Sequence, residues 1–338
     1  MDHFVGIDLH SNNSYIAVID TDNNRIFKKK ARNNLKEILK NLSPFKDQIK
    51  GIVVESTYNW YWLVDGLIDN GYKLHLANPS AIKQYEGLKH SDDVTDAFHL
   101  ANLLRLSILP EGYIYPKQER PVRDLLRKRM HLVRQRTALI LSFQNLIARN
   151  LGRKINANAI KKLNEGDLEE LFEDEHLLLS SKASISTIHF LKSRITHLEK
   201  AIHKASKLKN EYKLLKTVPG IWNTLALTIM LETGPIERFK KVGNYASYCR
   251  CVQSNRFSNS KSKGKGNKRN GNKYLSWAFV EAANLAFWNY EYVQRYHQKK
   301  TAKTNTVVAI KAIAHKLARA CYFIIRDQQE FDPARAFA

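Results

Sequence analysis

Cysteine is scarce in this chain: three in 338 residues, with Cys249 and Cys251 only two apart. That excludes a disulfide framework and a zinc site of ordinary spacing, and it fits a reducing, cytoplasmic setting. Long hydrophobic runs are missing too. No uninterrupted apolar stretch approaches the roughly 20 residues a membrane helix needs, and no basic start, apolar core and small-residue cleavage site marks a signal peptide. Acidic residues are in deficit, with 32 Asp+Glu against 55 Lys+Arg, a formal net charge of +23 and a pI near 9.8. With a membrane surface disfavoured, that excess points to a polyanionic partner, nucleic acid first. What is present is ordinary for a globular protein: 43% hydrophobic residues over 338 positions, enough for two cores.

Against this basic background four carboxylates stand out: Asp8 in "VGIDLHS", Glu55 in "GIVVEST", and Asp93 with Asp96 in "HSDDVTDA". The first two sit in or at the end of short apolar runs that predict β-strands. The last two are three apart at the predicted start of a helix, which puts them on one face. Asp92 adjoins Asp93 as a second candidate for that position. Gathering acids is costly unless a divalent cation neutralises them. His10, beside the first carboxylate, is expected to make a strand-end hydrogen bond rather than to touch metal. Trp60, Tyr61 and Trp62 are expected in the core.

Residues 1–110 alternate strand-like and helix-like segments. "FVGIDLH", "YIAVID" and "RIFKKKA" predict an antiparallel meander. Then come helix "LKEILKNL", strand "KGIVVES", helix "YWLVDGLIDNG", strand "YKLHLANP" and helix "DVTDAFHLANLLRLSI". Three strands, helix, strand, helix, strand, helix is the order of a ribonuclease-H-like α/β domain. From about 117 to 150 a long basic helix follows, carrying Arg123, Arg127, Lys128, Arg134 and Arg136 between apolar positions. A solvated face and a phosphate-contacting face are both open, the one-signed charge favouring phosphate. Ile188, Leu191, Ile195, Leu198, Ile202 and Ala205 form a heptad seam suited to an intramolecular hairpin or to self-association. "TVPGI" joins two apolar helical stretches through a Pro-Gly turn, as in helix-hairpin-helix elements, where the second helix's first N–H groups face a phosphate.

Between Arg256 and Lys273 lie Lys261, Lys263, Lys265, Lys268 and Arg269 with no acid, together with Ser258, Asn259, Ser260 and Ser262 and three glycines. This composition predicts a flexible nucleic-acid-binding loop. A serine among such cations has the setting of a nucleophile, because positive charge stabilises both its alkoxide and the phosphate it attacks.

In order, "GIDLHS", "VVES", "SDDVTDAFHLANLL", "TVPGI", "SNSKSKGKGN" and "NGNKYLSWAFVEAA" resemble the DEDD-type insertion-sequence transposases, the recombinases associated with a structured guide ("bridge") RNA. The resemblance spans roughly 3–290. It implies an α/β plus α architecture: a RuvC-like, RNase H-like domain over 1–115, a basic helix and coiled-coil linker over 116–211, and a mainly helical C-terminal domain with a serine loop over 212–338. It implies Asp8, Glu55, Asp93 and Asp96 as metal-binding catalytic carboxylates, holding Mg²⁺ or Mn²⁺. Ser258 is implied as nucleophile, with Ser260 a second candidate because Ser stands at 260 where the family more often has Gly. Arg123, Arg127, Lys128, Arg134, Arg256, Lys261, Lys263, Lys265, Lys268 and Arg269 are the expected nucleic-acid contacts. DNA, a guide RNA and further copies of the chain, as a dimer or tetramer, are the expected partners, in a bacterial or archaeal cytoplasm and associated with the nucleoid. The rival expectations are a carboxylate-only junction endonuclease and a non-enzymatic nucleic-acid-binding protein.

Overall fold

In the computed structural model, residues 1–82, 93–206, 209–252, 255–259, 261–265 and 270–337 are described. The chain divides into two compact units, residues 1–117 with 256–270, and residues 118–255 with 271–338.

The first unit opens with strands β1 (His3–Leu9), β2 (Asn13–Asp20) and β3 (Arg25–Arg32). Helix α1 (Leu35–Leu42), β4 (Ile49–Glu55), α2 (Tyr61–Asp69), β5 (Leu74–Ala77), α3 (Asp93–Arg105) and a short β6 (Glu111–Gly112) follow. The six strands lie in the order β3-β2-β1-β4-β5-β6. β1 pairs in parallel with β4 and β4 with β5, and the other pairs are antiparallel. This is a mixed α/β domain with the order of strands and α-helices expected over 1–110; a 3-10 turn over Ser43–Gln48 and the two-residue β6 were not foreseen.

Side chains alternate across the sheet, and the alternation divides its residues between two cores. Val5, Ile7 and Leu9 of β1, Ile16 and Val18 of β2, and Ile52 and Val54 of β4 pack with α1 and α2 through Ile38, Leu42, Leu63, Val64 and Leu67. The residues between them turn to α3: Ala17 and Ile19 meet Ala97, Phe98 and Ala101, and Val53 meets Leu100 and Leu104. Trp60 is buried in the first of these cores, with Tyr61 and Trp62 packed against it.

Helix α3 lies unusually close to β1 because residue 6 is glycine. A Cβ there would press into the carbonyl oxygen of Ala97 and come within 2.8 Å of the Ala101 nitrogen, both backbone atoms that cannot turn aside. Gly6→Ala is therefore expected to lift α3 off the sheet, at a cost of about 2–3 kcal/mol in line with overpacked cores. Melting of the variant beside the wild type measures it.

In the second unit, α4 (Arg120–Leu151), α5 (Ala157–Ile160), α6 (Glu165–Glu169) and α7 (Glu175–Ser206) come first, followed by α8 (Asn210–Leu215), α9 (Asn223–Thr233) and α10 (Val242–Tyr248). After the strands β7 (Asn255–Ser258) and β8 (Lys261–Lys265), the helices α11 (Lys273–Asn289), α12 (Glu291–Thr301), α13 (Thr306–Asp327) and α14 (Pro333–Phe337) complete the chain. The unit is helical. Ile188, Leu191, Ile195 and Ile202 of the heptad seam are buried. α7 packs along α4 within the chain, with Ile188 in one core beside Ile140, Phe143 and Ile147. An intramolecular helical hairpin thus uses this seam. Ala205, the last seam position, is exposed.

The Pro-Gly turn joins two helices, α8 and α9, as expected. Val218, Pro219, Gly220 and Ile221 are buried. Gly220, at φ +75°, lies against α11, where a Cβ would press into the Ala282 carbonyl oxygen and come within 2.7 Å of the Ala286 nitrogen. The glycine is needed for this close packing.

Two departures concern the expected boundaries. Residues 116–211 share a core with the C-terminal helices: Leu126 of α4 and Ile202 of α7 lie in one cluster with Leu225, Phe279 and Leu317. Residues 256–270, expected within a 212–338 domain, group instead with the first unit. Nor is this segment a plain loop. β7 and β8 form a two-stranded sheet around Asn259, whose φ of +50° suits the tight turn of a hairpin.

Candidate metal and nucleophile site

The sheet parity that sends Ile7 and Val54 to α1 and α2 sends Asp8 and Glu55 to the α3 face. Parallel pairing of Ile7 with Val54 makes Asp8 and Glu55 neighbours in the next row, and their carboxyls share a hydrogen bond. Asp93 and Asp96 occupy the first turn of α3, the helix that Gly6 admits to close range. All four carboxylates expected from the sequence meet here. Asp93 and Asp96 both raise the proton affinity of Asp8, and Asp96 also raises that of Glu55. Asp92 lies outside the described residues.

His10 makes the expected strand-end hydrogen bond and does more. Its backbone N–H closes the β1–β2 turn on the Asn13 carbonyl at 2.9 Å, but its ring is directed at the acids. Nε2 stands 3.1 Å from Asp8 Oδ2 and 3.4 Å from Asp93 Oδ1. The ring is steadied edge-on against Tyr15, with centroids 5.8 Å apart. Its carbonyl accepts from Asn33 Nδ2 at 2.9 Å and from Asn59 Nδ2 at 3.0 Å, which ties the turn to two other segments. The only sequence signal for this role was His10's adjacency to the first carboxylate.

Asp8 is 4% exposed, and burial above all pushes its carboxyl upward, partly offset by His10. Glu55 is pushed further, to about 7, by burial first and then by the Asp8 charge and the hydrogen bond to Asp8. Oxygen donors from four carboxylates, with an imidazole alongside, suit a hard divalent ion. Single ligand atoms of Asp8, His10 and Asp93 already lie within 4.8 Å of one another. These residues fit a divalent metal: a cation would offset the burial and the mutual repulsion that push the carboxyls of Asp8 and Glu55 upward.

A pH dependence follows from Glu55. Its folded value of about 7 lies above the usual 4.5, so the folded chain retains a proton that the unfolded chain has released. The associated stability is complete below about 4.5 and is lost as pH rises through about 7. In chelator, raising the pH from 5 to 8 is expected to lower stability by about 1–2 kcal/mol, allowing for the carboxyl's partial contact with water. Glu55→Gln should flatten that slope, and added Mg²⁺ should restore the loss at pH 8. Melting curves over a pH series check all three.

Ser258 ends β7, within the segment grouped with the carboxylate-bearing unit. In that unit Asn78 Nδ2 donates to Asn270 Oδ1 at 3.4 Å. Lys261 and Lys263 are exposed on β8. The side chains of Arg256, Ser258 and Lys265, and the whole of Ser260, Lys268 and Arg269, lie outside what the structure describes.

The α4 cations divide. Lys128 and Arg134 are exposed. Arg123 is buried, at 4% exposure. Arg127 donates from Nε and Nη2 to the two carboxylate oxygens of Glu232, at 2.6 and 2.8 Å, and lies 4.6 Å over the Tyr274 ring. Arg123 and Arg127 thus face the helical core, because their side of α4 packs inward.

Among the described residues no helix is long and apolar enough to cross a membrane. Comparison with curated proteins gives no match. Two family models do match: the IS110-type DEDD model, described as a transposase, over residues 5–149, and one described as a transposase of the IS116/IS110/IS902 family over residues 212–298. The first takes in Asp8, Glu55, Asp93 and Asp96, the second the Pro-Gly turn and the serine hairpin, and the chain belongs to the IS110 family of insertion-sequence transposases.

Proposed function

We propose that this transposase excises and inserts DNA with a divalent-metal carboxylate centre and a serine nucleophile, directed by a structured guide RNA. The observation that carries the reading is the adjacent Asp8–Glu55 pair on the α3 face, Asp8 buried and Glu55 half-buried, beside Asp93 and Asp96 in a chain of net charge +23. The strand order β3-β2-β1-β4-β5, with three antiparallel strands leading into two parallel ones, supports an RNase H-like, RuvC-like domain.

Asp8, Glu55, Asp93 and Asp96 would hold Mg²⁺ or Mn²⁺, with His10 at the margin. Held there, such a divalent ion would supply activation of an attacking oxygen and charge stabilisation of a leaving one in phosphoryl transfer. The chain's own residues supply the remainder. Burial of Asp8 limits its contact with bulk water, and α3 places the other two acids beside it and the half-buried Glu55. Cations of the β7–β8 hairpin bind the strand's phosphates. Ser258 is the nucleophile: its Oγ–P bond forms as the bond to the leaving DNA oxygen breaks, the hydroxyl proton passes to a base, and the departing oxygen takes up a proton. Attack by the incoming strand's hydroxyl on the phosphoserine then reforms a phosphodiester and frees the serine. The bond energy is conserved, which simple hydrolysis would waste. Grouping of residues 256–270 with the carboxylate-bearing unit supports Ser258 acting at the same phosphate. DNA ends, guide RNA and further copies of the chain complete the assembly.

The test is the circular junction joining the element's two ends, assayed in cells that carry the gene with its native flanks. Wild type should yield it and Ser258→Ala should not. Junctions persisting in Ser258→Ala but lost in Ser260→Ala would move the nucleophile by two residues. Persistence in both would leave a carboxylate-only nuclease.

A further inference from the structure

Strand β3 (Arg25–Arg32) is an edge strand with five cations, Arg25, Lys28, Lys29, Lys30 and Arg32, and no acid. The family motifs do not include it, and nothing in the carboxylate chemistry calls for it. Strand register gives it a direction. Asp8 pairs with Tyr15, and Tyr15 pairs with Lys30. One row of side chains on one face of the sheet therefore runs Glu55, Asp8, Tyr15, Lys30. Lys28 pairs with Ala17, which faces α3, and Arg32 pairs with Asn13, so both flank Lys30 on that same face. Lys29 pairs with Ile16, whose side chain belongs to the opposite core.

Lys28, Lys30 and Arg32 are all exposed. Among the described residues none of the three is ion-paired. Lys30 Nζ stands 5.2 Å over the Tyr15 ring, and that ring also supports His10. Charged edges do protect sheets from pairing with other chains. That protection requires neither a single sign nor a single face, and β3 shows one sign throughout with three of its cations on the carboxylate face.

We propose that Lys28, Lys30 and Arg32 form a phosphate track for the DNA strand whose scissile phosphate lies at Asp8 and Glu55. β3 lies two strands from β1, about 10 Å at ordinary strand spacing, and Lys28 to Arg32 spans about 13 Å. Together these lengths match a few nucleotides on the way to the carboxylates, at roughly 3.4 Å of rise per nucleotide. DNA is favoured over RNA as the occupant because the row ends on the residues that cut, and a guide strand has no bond to be cut there. The track rests on the proposed carboxylate chemistry for its direction, but its binding can be measured without any cleavage.

The experiment uses full-length protein in chelator, with fluorescence anisotropy on a labelled branched DNA and on a labelled single-stranded RNA. The triple variant Lys28→Gln/Lys30→Gln/Arg32→Gln is expected to bind the DNA about tenfold more weakly at 0.1 M salt. Its log–log salt slope should fall by about 2–3, the share of three phosphate contacts. Lys28→Glu and Lys30→Glu keep a charged edge, guard against aggregation and should each weaken binding as well. Lys36→Gln/Lys40→Gln/Lys46→Gln removes equal charge on the α1 side and should change DNA affinity less than about twofold, well below the effect of three phosphate contacts. Equal losses in the two triple variants, or unchanged DNA binding in the β3 variant, would overturn the track. Loss of RNA binding alone would make RNA the occupant and overturn it too. Failure of the recombinase reading would appear elsewhere, as absence of circular junctions from wild type.

Discussion

Replacing Asp8 by asparagine is expected to lower strand cleavage by at least about 10³-fold while making the metal-free protein more stable at pH 8. Both effects come from removing one charge. The side chain keeps its size, and its surroundings, the Asp8–Tyr15 register and the close approach of α3, are unaltered. On the proposed chemistry cleavage falls because a ligand carboxylate would contribute several kcal/mol of charge stabilisation through the metal it would hold, and each 1.36 kcal/mol is tenfold in rate. Stability rises because Glu55 no longer faces a buried negative neighbour, one of the causes that push it up to about 7. A misfolded variant would lose both. Cleavage of branched DNA with Mg²⁺, run beside melting in chelator, separates the cases. An Asp8→Asn protein that cleaves like wild type would remove the carboxylates from the chemistry.

The largest stability loss is expected from Glu232→Ala. Glu232 is 1% exposed and accepts from Arg127 at 2.6 and 2.8 Å and from Asn272 Nδ2 at 2.8 Å. Asn272 in turn caps α11, its Oδ1 accepting from the N–H groups of Tyr274 and Leu275 at 2.8 and 3.2 Å. Removing the acid strands a guanidinium and loosens a helix cap in one step. Breaking a buried pair in this way costs about 3–5 kcal/mol. At roughly 2–4 °C per kcal/mol for a unit of this size, Tm should fall by on the order of 10 °C. Arg127→Met with Glu232→Leu, which removes both charges, should recover much of that loss. If Glu232→Ala alone melted like wild type, the network would be dispensable.

These cases divide what sequence can carry from what it cannot. The order of strands and helices over 1–110 was legible because each element's pattern is local: alternation for a half-buried strand, a 3.6-residue period for a helix. Asp8, Glu55, Asp93 and Asp96 were legible as residues because acids ending apolar runs are unusual in so basic a chain. Their convergence was not a local property. It depends on the Ile7–Val54 pairing and on Gly6 admitting α3. His10's contact with two acids follows from a turn held by Asn33 and Asn59, 23 and 49 residues away.

Cationic side chains show the limit most plainly. Charge in a sequence reports sign but not facing. Arg127 looked like its neighbour Lys128, yet its guanidinium is bound to an acid 105 residues later while Lys128 remains exposed. The heptad seam of α7 said that one face would be buried but could not name the partner, because an apolar stripe is satisfied equally by α4 or by another chain. The Lys-, Gly- and Ser-rich segment read as a loop because its composition disfavours strands, whereas pairing of β7 with β8 decides otherwise. The sequence by itself determined the α/β start, the basic surface, the four acids and the family. Only tertiary structure decided which of these meet, because strand register, the approach of α3 and burial of α4 are set by contacts between residues distant in the chain.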